Sequence, residues 1–266
     1  MKTIKTHQFS FSRAENKLEF QVPESWHELN QEQLRYVFFL LSSFNDLTVI
    51  KTYMFMRFTG IEVDKVISGG ARCYIRKGDT GRRHFFNLAT WQIQSLIHHF
   101  DFVGSCDGLD VRLDNIRGYY AVDVFLRGVC FSDYLMCEKN YQDFLGTRDK
   151  KYLNRLGRIL YRDSDNQPPE QFNLNGTEQT AIFYWYTSAK NMFSRQFSDF
   201  FKPVPDGKIE QVRFIKLANA QIRALTDGDI TKEKEIGAID CWRALTELNE
   251  KAREAEEFNR KFGKNV

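Results

Sequence analysis

From Ile236 to Phe258 apolar side chains return every three or four residues: Ile236, Ile239, Trp242, Leu245, Leu248, Ala252, Ala255 and Phe258. That spacing lays one apolar stripe along a helix. The helix predicted from Thr231 to Phe262 would run about 30 residues, roughly 45 Å at 1.5 Å per residue. A helix of this kind is stabilised mainly by covering its stripe, so the chain must supply helical surface elsewhere or meet it on a partner. Thr231 is placed to cap the N-terminus, and Glu233 and Glu235 fall in the first turn, where carboxylates suit the positive end of the dipole. The opposite face, "KEK", "NEKAREAEE" and "NRK", mixes both signs, unlike a nucleic-acid arm. The acids just upstream do not open a calcium loop. Counted from Asp227, the positions that need Gly and a bidentate Glu hold Lys232 and Ala238.

Hairpin and helix signals fill the first third. Residues 2–22 read as a β-hairpin, with "THQFSFS" and "KLEFQV" alternating about a turn-like "RAEN". After Pro23, Asn30 and Gln33 have capping-box spacing, and Leu34, Val37, Leu41 and Phe44 share a helical face. A second helix is expected from Leu47 to Phe58, closed by Gly60. "ARCYIR" and "RRHFFNL" flank "KGDTG", whose Gly78, Asp79 and Gly81 suit a tight turn, so a second hairpin is expected there. "ATWQIQSLIHHF" follows as a helix with Thr90 as its cap.

Helical spacing resumes from Tyr119 to Arg162, then from Glu178 to Phe193 and from Ile209 to Leu225, with "FFKPVPDG" between the last two. "RDSDNQPPEQFNLNG", Arg162 to Gly176, has the composition of a loop. The pattern predicts an α+β fold, mostly α-helical, with two small antiparallel β-hairpins in the N-terminal third and a long C-terminal helix. Residues 1–162 would form an α+β domain and 177–266 a helical region, packed on the first or hinged at 163–176.

The chemistry-bearing residues are sparse. The five cysteines, Cys73, Cys106, Cys130, Cys137 and Cys241, include no C-x-x-C pair, and neither a disulfide framework nor a zinc site is expected. His98 and His99 are adjacent, whereas metal-binding histidines on a helix sit four apart. No G-x-S-x-G, phosphate loop or dinucleotide fingerprint occurs. The expectation is a protein without catalytic residues, metal or cofactor. The longest apolar run, "YVFFLL", is far below the roughly 20 residues of a membrane span, and the first residues carry no apolar signal core, so a cytoplasmic protein is expected.

Two features point to binding. Aromatics make up 15% of the chain, and in "IFYWYTSAKNMFSRQFSDFF" Phe183, Trp185 and Phe201 lie off the main stripe, as in a central or interfacial helix. Trp26, Tyr36, Phe39, Trp185, Phe201 and Trp242 are the candidate partner contacts. Around the second hairpin turn, Arg76, Lys77, Arg82 and Arg83 form the alternative, a basic ribbon for phosphates with Tyr74, Phe85 and Phe86 near enough to stack on bases. The net charge of only +3 argues for the first.

"FQVPESWHELNQEQLRYV", Phe20 to Val37, resembles the opening of small phage proteins encoded among tail genes: Val22, Pro23, Ser25, Trp26, Glu28, Leu29 and Gln33 match, with Asn30 where a Thr is usual. "CFSDYLMCEKNYQDFLGTRDKKYLNRLGRILYR" and "ALTDGDITKEKEIGAIDCWRALTELNEKAREAEEFN" look like proteins of Bacteroidetes phages and prophages. The resemblance implies a phage morphogenesis protein, of the tail assembly chaperone type or a virion connector or tail component. It implies a phage structural or tail protein as partner, or a second copy of the chain, and a site of action in the bacterial cytoplasm or the virion.

Overall fold

The computed structural model describes residues 7–11, 18–77, 81–202 and 211–262. The fold is α+β and mostly helical, and the chain divides into two compact units, Met1–Leu109 and Asp110–Val266.

In the first unit strands β1 (His7–Phe11) and β2 (Leu18–Val22) pair antiparallel, His7 opposite Val22. The expected "RAEN" turn lies outside the described residues. A 3-10 turn, Trp26–Glu28, leads into helices α1 (Gln31–Ser43) and α2 (Leu47–Thr59). α1 starts on the expected capping box. The Gln33 N–H donates to Asn30 Oδ1 at 2.9 Å, and the Asn30 N–H to Gln33 Oε1 at 3.0 Å. α2 ends at Gly60, whose φ of 69° is the left-handed closure the sequence called for.

The second hairpin is part of a three-stranded sheet, β3 (Glu62–Ile67), β4 (Gly70–Lys77) and β5 (Arg82–Ala89), in that order. β3 was not foreseen, because "EVDKVI" is exposed over most of its length and has no apolar face to reveal it. Of the expected turn residues, Gly78 and Asp79 lie outside the described residues. A Cβ at Gly70 would sit 2.0 Å from the Leu88 carbonyl oxygen, so this strand entry requires glycine. Helix α3 (Thr90–Ile97) begins at Thr90 itself. Ala89 holds the cap position, and its N–H donates to Gln92 Oε1 at 2.8 Å, which corrects the expected Thr90 cap. The unit's core gathers Leu34, Val37 and Phe38 with Ile50, Met54, Phe100 and Val103, all buried, at about 1.5–3 kcal/mol per large side chain.

The second unit contains a small antiparallel sheet, β6 (Asn115–Ile116), β7 (Tyr119–Ala121) and β8 (Tyr161–Arg162). Its helices are α4 (Phe131–Thr147), α5 (Lys151–Leu160), α6 (Gly176–Gln196), α7 (Gln211–Thr226), α8 (Glu233–Ala238) and α9 (Cys241–Phe262). The stretch from Tyr119, expected to be helical, opens as strand and loop instead. Leu126 is left-handed at φ 60°, and the Asp123 carboxylate accepts the Phe125 and Arg127 N–H groups at 2.9 and 3.2 Å. An aspartate that captures nearby N–H groups stabilises a turn against a helix.

The Arg162–Gly176 segment is internal to the second unit, and the chain divides at Leu109/Asp110. Phe172 and Leu174 are buried, with the Phe172 ring 5.6 Å from both Tyr119 and Tyr161. Its polar composition concealed these two anchors. α6 begins at Gly176 on a second capping box, Asn175 with Glu178. It is buried on several sides through Ile182, Trp185, Tyr186 and Phe193. The start expected for α7, at Ile209, lies outside the described residues, as does most of "FFKPVPDG".

The long C-terminal helix is interrupted. A 3-10 turn (Ile230–Lys232) starts on Asp229, whose carboxylate accepts the Thr231 N–H at 3.0 Å, so Asp229 and not Thr231 is the cap. α8 then stops, and α9 starts after Asp240. At the break the backbone bridges the entry to α4: the Phe131 N–H donates to the Ile239 carbonyl and the Cys241 N–H to the Val129 carbonyl, both at 2.8 Å. The Asp240 carboxylate accepts the Trp242 N–H at 2.9 Å through one oxygen and the Gly128 N–H at 2.6 Å through the other. The apolar period runs unbroken across this point, and only the long-range bridge makes the break visible.

Candidate functional site

Three consecutive carbonyls in the second unit are held by side chains from two helices. Trp185 Nε1–H on α6 donates to the Val124 carbonyl at 2.7 Å. Trp242 Nε1–H on α9 donates to the Phe125 carbonyl at 2.6 Å, and Cys241 Sγ–H to the Leu126 carbonyl at 3.2 Å. The loop 122–130 is thereby fixed against the helices.

An apolar groove of about 550 Å³ opens among α4, α6, α7 and α9. Leu135, Phe200, Phe201, Phe214, Leu217 and Leu248 supply much of its wall. At its polar end Glu138 is buried in the protein. Its carboxylate accepts the Tyr186 hydroxyl at 2.8 Å and pairs with Lys190. Burial, with Glu138 beside it, pushes the Tyr186 phenol well above its ordinary range, so it stays a donor at physiological pH. The groove therefore offers apolar walls around one neutralised ion pair. α7 and α9 carry further apolar surface: Ile215 and Leu217 on one, Phe258 and Phe262 on the other, are exposed, the two Phe rings 4.8 Å apart.

The candidate aromatics separate by burial. Trp26 and Trp185, expected at the surface, are core: each is 1% exposed. Trp26 stacks on Phe38 at 5.8 Å and donates to the Ser105 carbonyl at 3.2 Å. Buried tryptophans with a satisfied N–H hold a core together, which corrects the surface role expected of both. In the first unit Tyr36 and Phe39 come together on α1, ring centroids 6.4 Å apart, with Tyr36 half-buried and Phe39 exposed. Phe201 is half-buried and lines the groove. Trp242 is half-buried beside Phe193 and Phe197, with the Arg127 guanidinium 5.1 Å from its ring.

In the basic hairpin one of the four cations, Arg76, is neutralised within its own sheet. Arg76 pairs with Glu62 at 2.9 Å, and both Arg76 and Arg83 lie over the Tyr74 ring, at 5.8 and 4.7 Å. The hydrogen bonds from Arg76 and from the Tyr74 hydroxyl hold the Glu62 carboxyl down at about 2. Arg82 is exposed, and the Lys77 side chain lies outside the described residues. Tyr74, assigned to stacking on bases, is buried beneath these guanidinium groups.

Burial raises the thiols of Cys106 to about 11 and of Cys241 to about 12, and Cys137 well above its usual value, so these sulfurs are held as thiols at neutral pH. Among the described residues no three His, Cys, Asp or Glu side chains converge as metal ligands, and no helix is long and apolar enough to cross a membrane. Sequence reasoning missed Glu138 and a basic pocket built from Lys139, Arg155, Arg158 and Arg162. The four-three-four spacing of Lys151, Arg155, Arg158 and Arg162 was the available signal. No family model, curated protein or solved structure matches this chain.

Proposed function

We propose that this chain is a non-enzymatic phage morphogenesis protein of the tail assembly chaperone kind. In this reading it holds another phage protein by seating an apolar helix of that partner in the groove of the second unit. One observation carries the reading: the apolar stripe of α9 and the apolar side of α7 continue past what the chain itself covers. Leu248 is buried, while Phe258 and Phe262, farther along the same helix, are about 60% exposed, as is Ile215 on α7. Large exposed apolar side chains on helices that also line a concave apolar groove are a usual form of a helix-binding surface. The phage resemblance of Phe20–Val37 and of the C-terminal stretches supplies the partner class.

The test is a pull-down from infected-cell lysate with cross-links mapped by mass spectrometry, alongside an inventory of purified particles. Leu217→Glu and Phe258→Glu change exposed positions, so thermal unfolding should hold while capture of a tail or capsid protein falls about tenfold or more. Cross-links should run from α7 and α9 to one helix of that protein. Unchanged capture by both variants would overturn the groove as the binding surface. Presence in particles at fixed copy number would replace the chaperone reading with a virion connector or tail component.

A further inference from the structure

A second concavity of the same unit, about 720 Å³, differs in chemistry from the groove. α4 contributes Lys139 and Met136, α5 contributes Arg155, Arg158 and Ile159, β8 contributes Arg162, and the loop after it contributes Asn166 and Pro168. Its remaining wall includes Val122 and Gly128–Cys130, the stretch fixed through the Trp185 and Trp242 hydrogen bonds. Four cationic side chains thus line the pocket; Arg162 engages its one carboxylate, Asp133, at 2.8 Å, and Lys139 is paired with Asp143 at 2.8 Å, which leaves Arg155 and Arg158 as its unneutralised cations.

The guanidinium groups of Arg158 and Arg162 are pre-positioned by backbone acceptors. Arg158 Nε–H donates to the Pro169 carbonyl at 2.7 Å, a bond that fixes the guanidinium without using its terminal nitrogens. One terminal nitrogen of Arg162 donates to the Arg158 and Tyr161 carbonyls at 3.1 and 3.3 Å while the other holds Asp133. Arg155 lies over the Tyr152 ring at 5.4 Å. Among the described residues neither Arg155 nor Arg158 is held in an ion pair. Asp149, a nearby acid that feels Arg155, is engaged by Lys151 at 2.8 Å. Asp163, next to Arg162, turns its carboxylate to the Asp165 and Gln167 N–H groups at 2.9 and 2.8 Å.

Arginines fixed through Nε or one terminal nitrogen present the rest of a planar fork, the geometry that recognises phosphate oxygens in pairs. Met136, Ile159 and Pro168 give the same pocket an apolar side, and its volume is in the range of small-molecule sites. A solvated basic helix face would need neither the concavity nor the backbone-anchored forks.

We propose that this pocket binds a phosphate-bearing small molecule with an apolar body, of the nucleoside diphosphate kind. Its phosphates meet Arg155 and Arg158, and its ring lies against Met136, Ile159 and Pro168.

Titration calorimetry on the full chain, with ADP, pyrophosphate and adenosine as probes, tests this. ADP should bind, pyrophosphate more weakly, and adenosine not at all. Arg155→Gln should weaken ADP about tenfold, the value of one charge-assisted pair, with unfolding unchanged because Arg155 braces no backbone group. Alkylation of Cys130, half-buried in the wall, should slow in the presence of ADP. The proposal is overturned if neither ADP nor pyrophosphate binds at low salt. Equal ADP affinity in a folded Arg155→Gln/Arg158→Gln protein also overturns it. Pyrophosphate binding as tightly as ADP refutes the apolar half of the site. A single-stranded oligonucleotide that binds a hundredfold tighter than ADP and displaces it refutes the small-molecule reading.

Discussion

Trp185→Phe and Trp242→Phe should separate the energetics of two neighbouring carbonyls. Both tryptophans donate through Nε1, at 2.7 Å to Val124 and 2.6 Å to Phe125. Their surroundings differ: Trp185 is 1% exposed, with its ring edge-on to Tyr161 at 6.0 Å, whereas Trp242 is half-buried. Phenylalanine removes the donor and part of the ring. At Trp185 the stranded carbonyl faces the space the ring has left, at about 1–2 kcal/mol, and the lost packing adds about 1–2 kcal/mol. The sum is about 2–4 kcal/mol, or a fall in melting temperature of roughly 5–15 °C for a unit of this size. At Trp242 water can reach the vacated position, and the cost should be about 1–2 kcal/mol. Urea unfolding followed by circular dichroism measures both, with midpoints compared at constant slope. A Trp242→Phe loss equal to or larger than that of Trp185→Phe would refute the argument, as would losses below about 1 kcal/mol in both.

Asp240→Ala removes the acceptor of the Trp242 and Gly128 N–H groups and should cost about 1–2 kcal/mol, while Asp240→Asn, which keeps an acceptor oxygen, should cost less than half of that in the same unfolding assay. Gly157→Ala should destabilise the protein although alanine is the better helix former by about 1 kcal/mol. The new methyl would sit 2.6 Å from Ile182 Cδ1 and 2.8 Å from Leu174 Cδ1, and relieving that overlap in a packed core costs about 1–3 kcal/mol, so a melting temperature at or above wild type would refute the packing. The Glu62 carboxyl should titrate with a midpoint of about 2 by NMR, and Arg76→Met should raise it. Because its folded value lies below the unfolded one, its contribution is present above the ordinary carboxylate range and is lost as pH falls through about 2.

Local signals were readable from the sequence where local chemistry decides the structure. Asn30 with Gln33 and the closure at Gly60 were legible because each capping rule involves neighbouring residues only. The sheet of β6, β7 and β8 was not, because it pairs Tyr120 with Arg162 across more than forty positions and its strands are too short to alternate. The break before α9 was hidden for a similar reason: Ile236, Ile239 and Trp242 keep helical spacing, and the partners that interrupt the backbone are Val129 and Phe131. At the candidate sites, Phe201, singled out as lying off the main apolar stripe, falls beyond the end of α6 and lines the groove. Trp26 and Trp185 were misplaced because an indole's residue type does not reveal whether its N–H meets water or a carbonyl. The pocket arginines were individually ordinary, and α5 and β8 converge only once the chain has folded.

The bridge between Ile239–Cys241 and Val129–Phe131 also sets an order of events. Its two hydrogen bonds, with the Asp240 bond to Gly128, join segments about 110 residues apart in the chain, so loop-closure entropy must be met before any of them forms. The early-made half of the second unit, α4 and α5 with their loop, waits for α9 before its wall residues are fixed. On the ribosome that half emerges first and remains without the Trp242 and Cys241 donors until α9 has followed it. Completion of the basic pocket is thus tied to synthesis of α9, and a product arrested before Asp240 would carry the pocket's arginines without the bridge that fixes its wall.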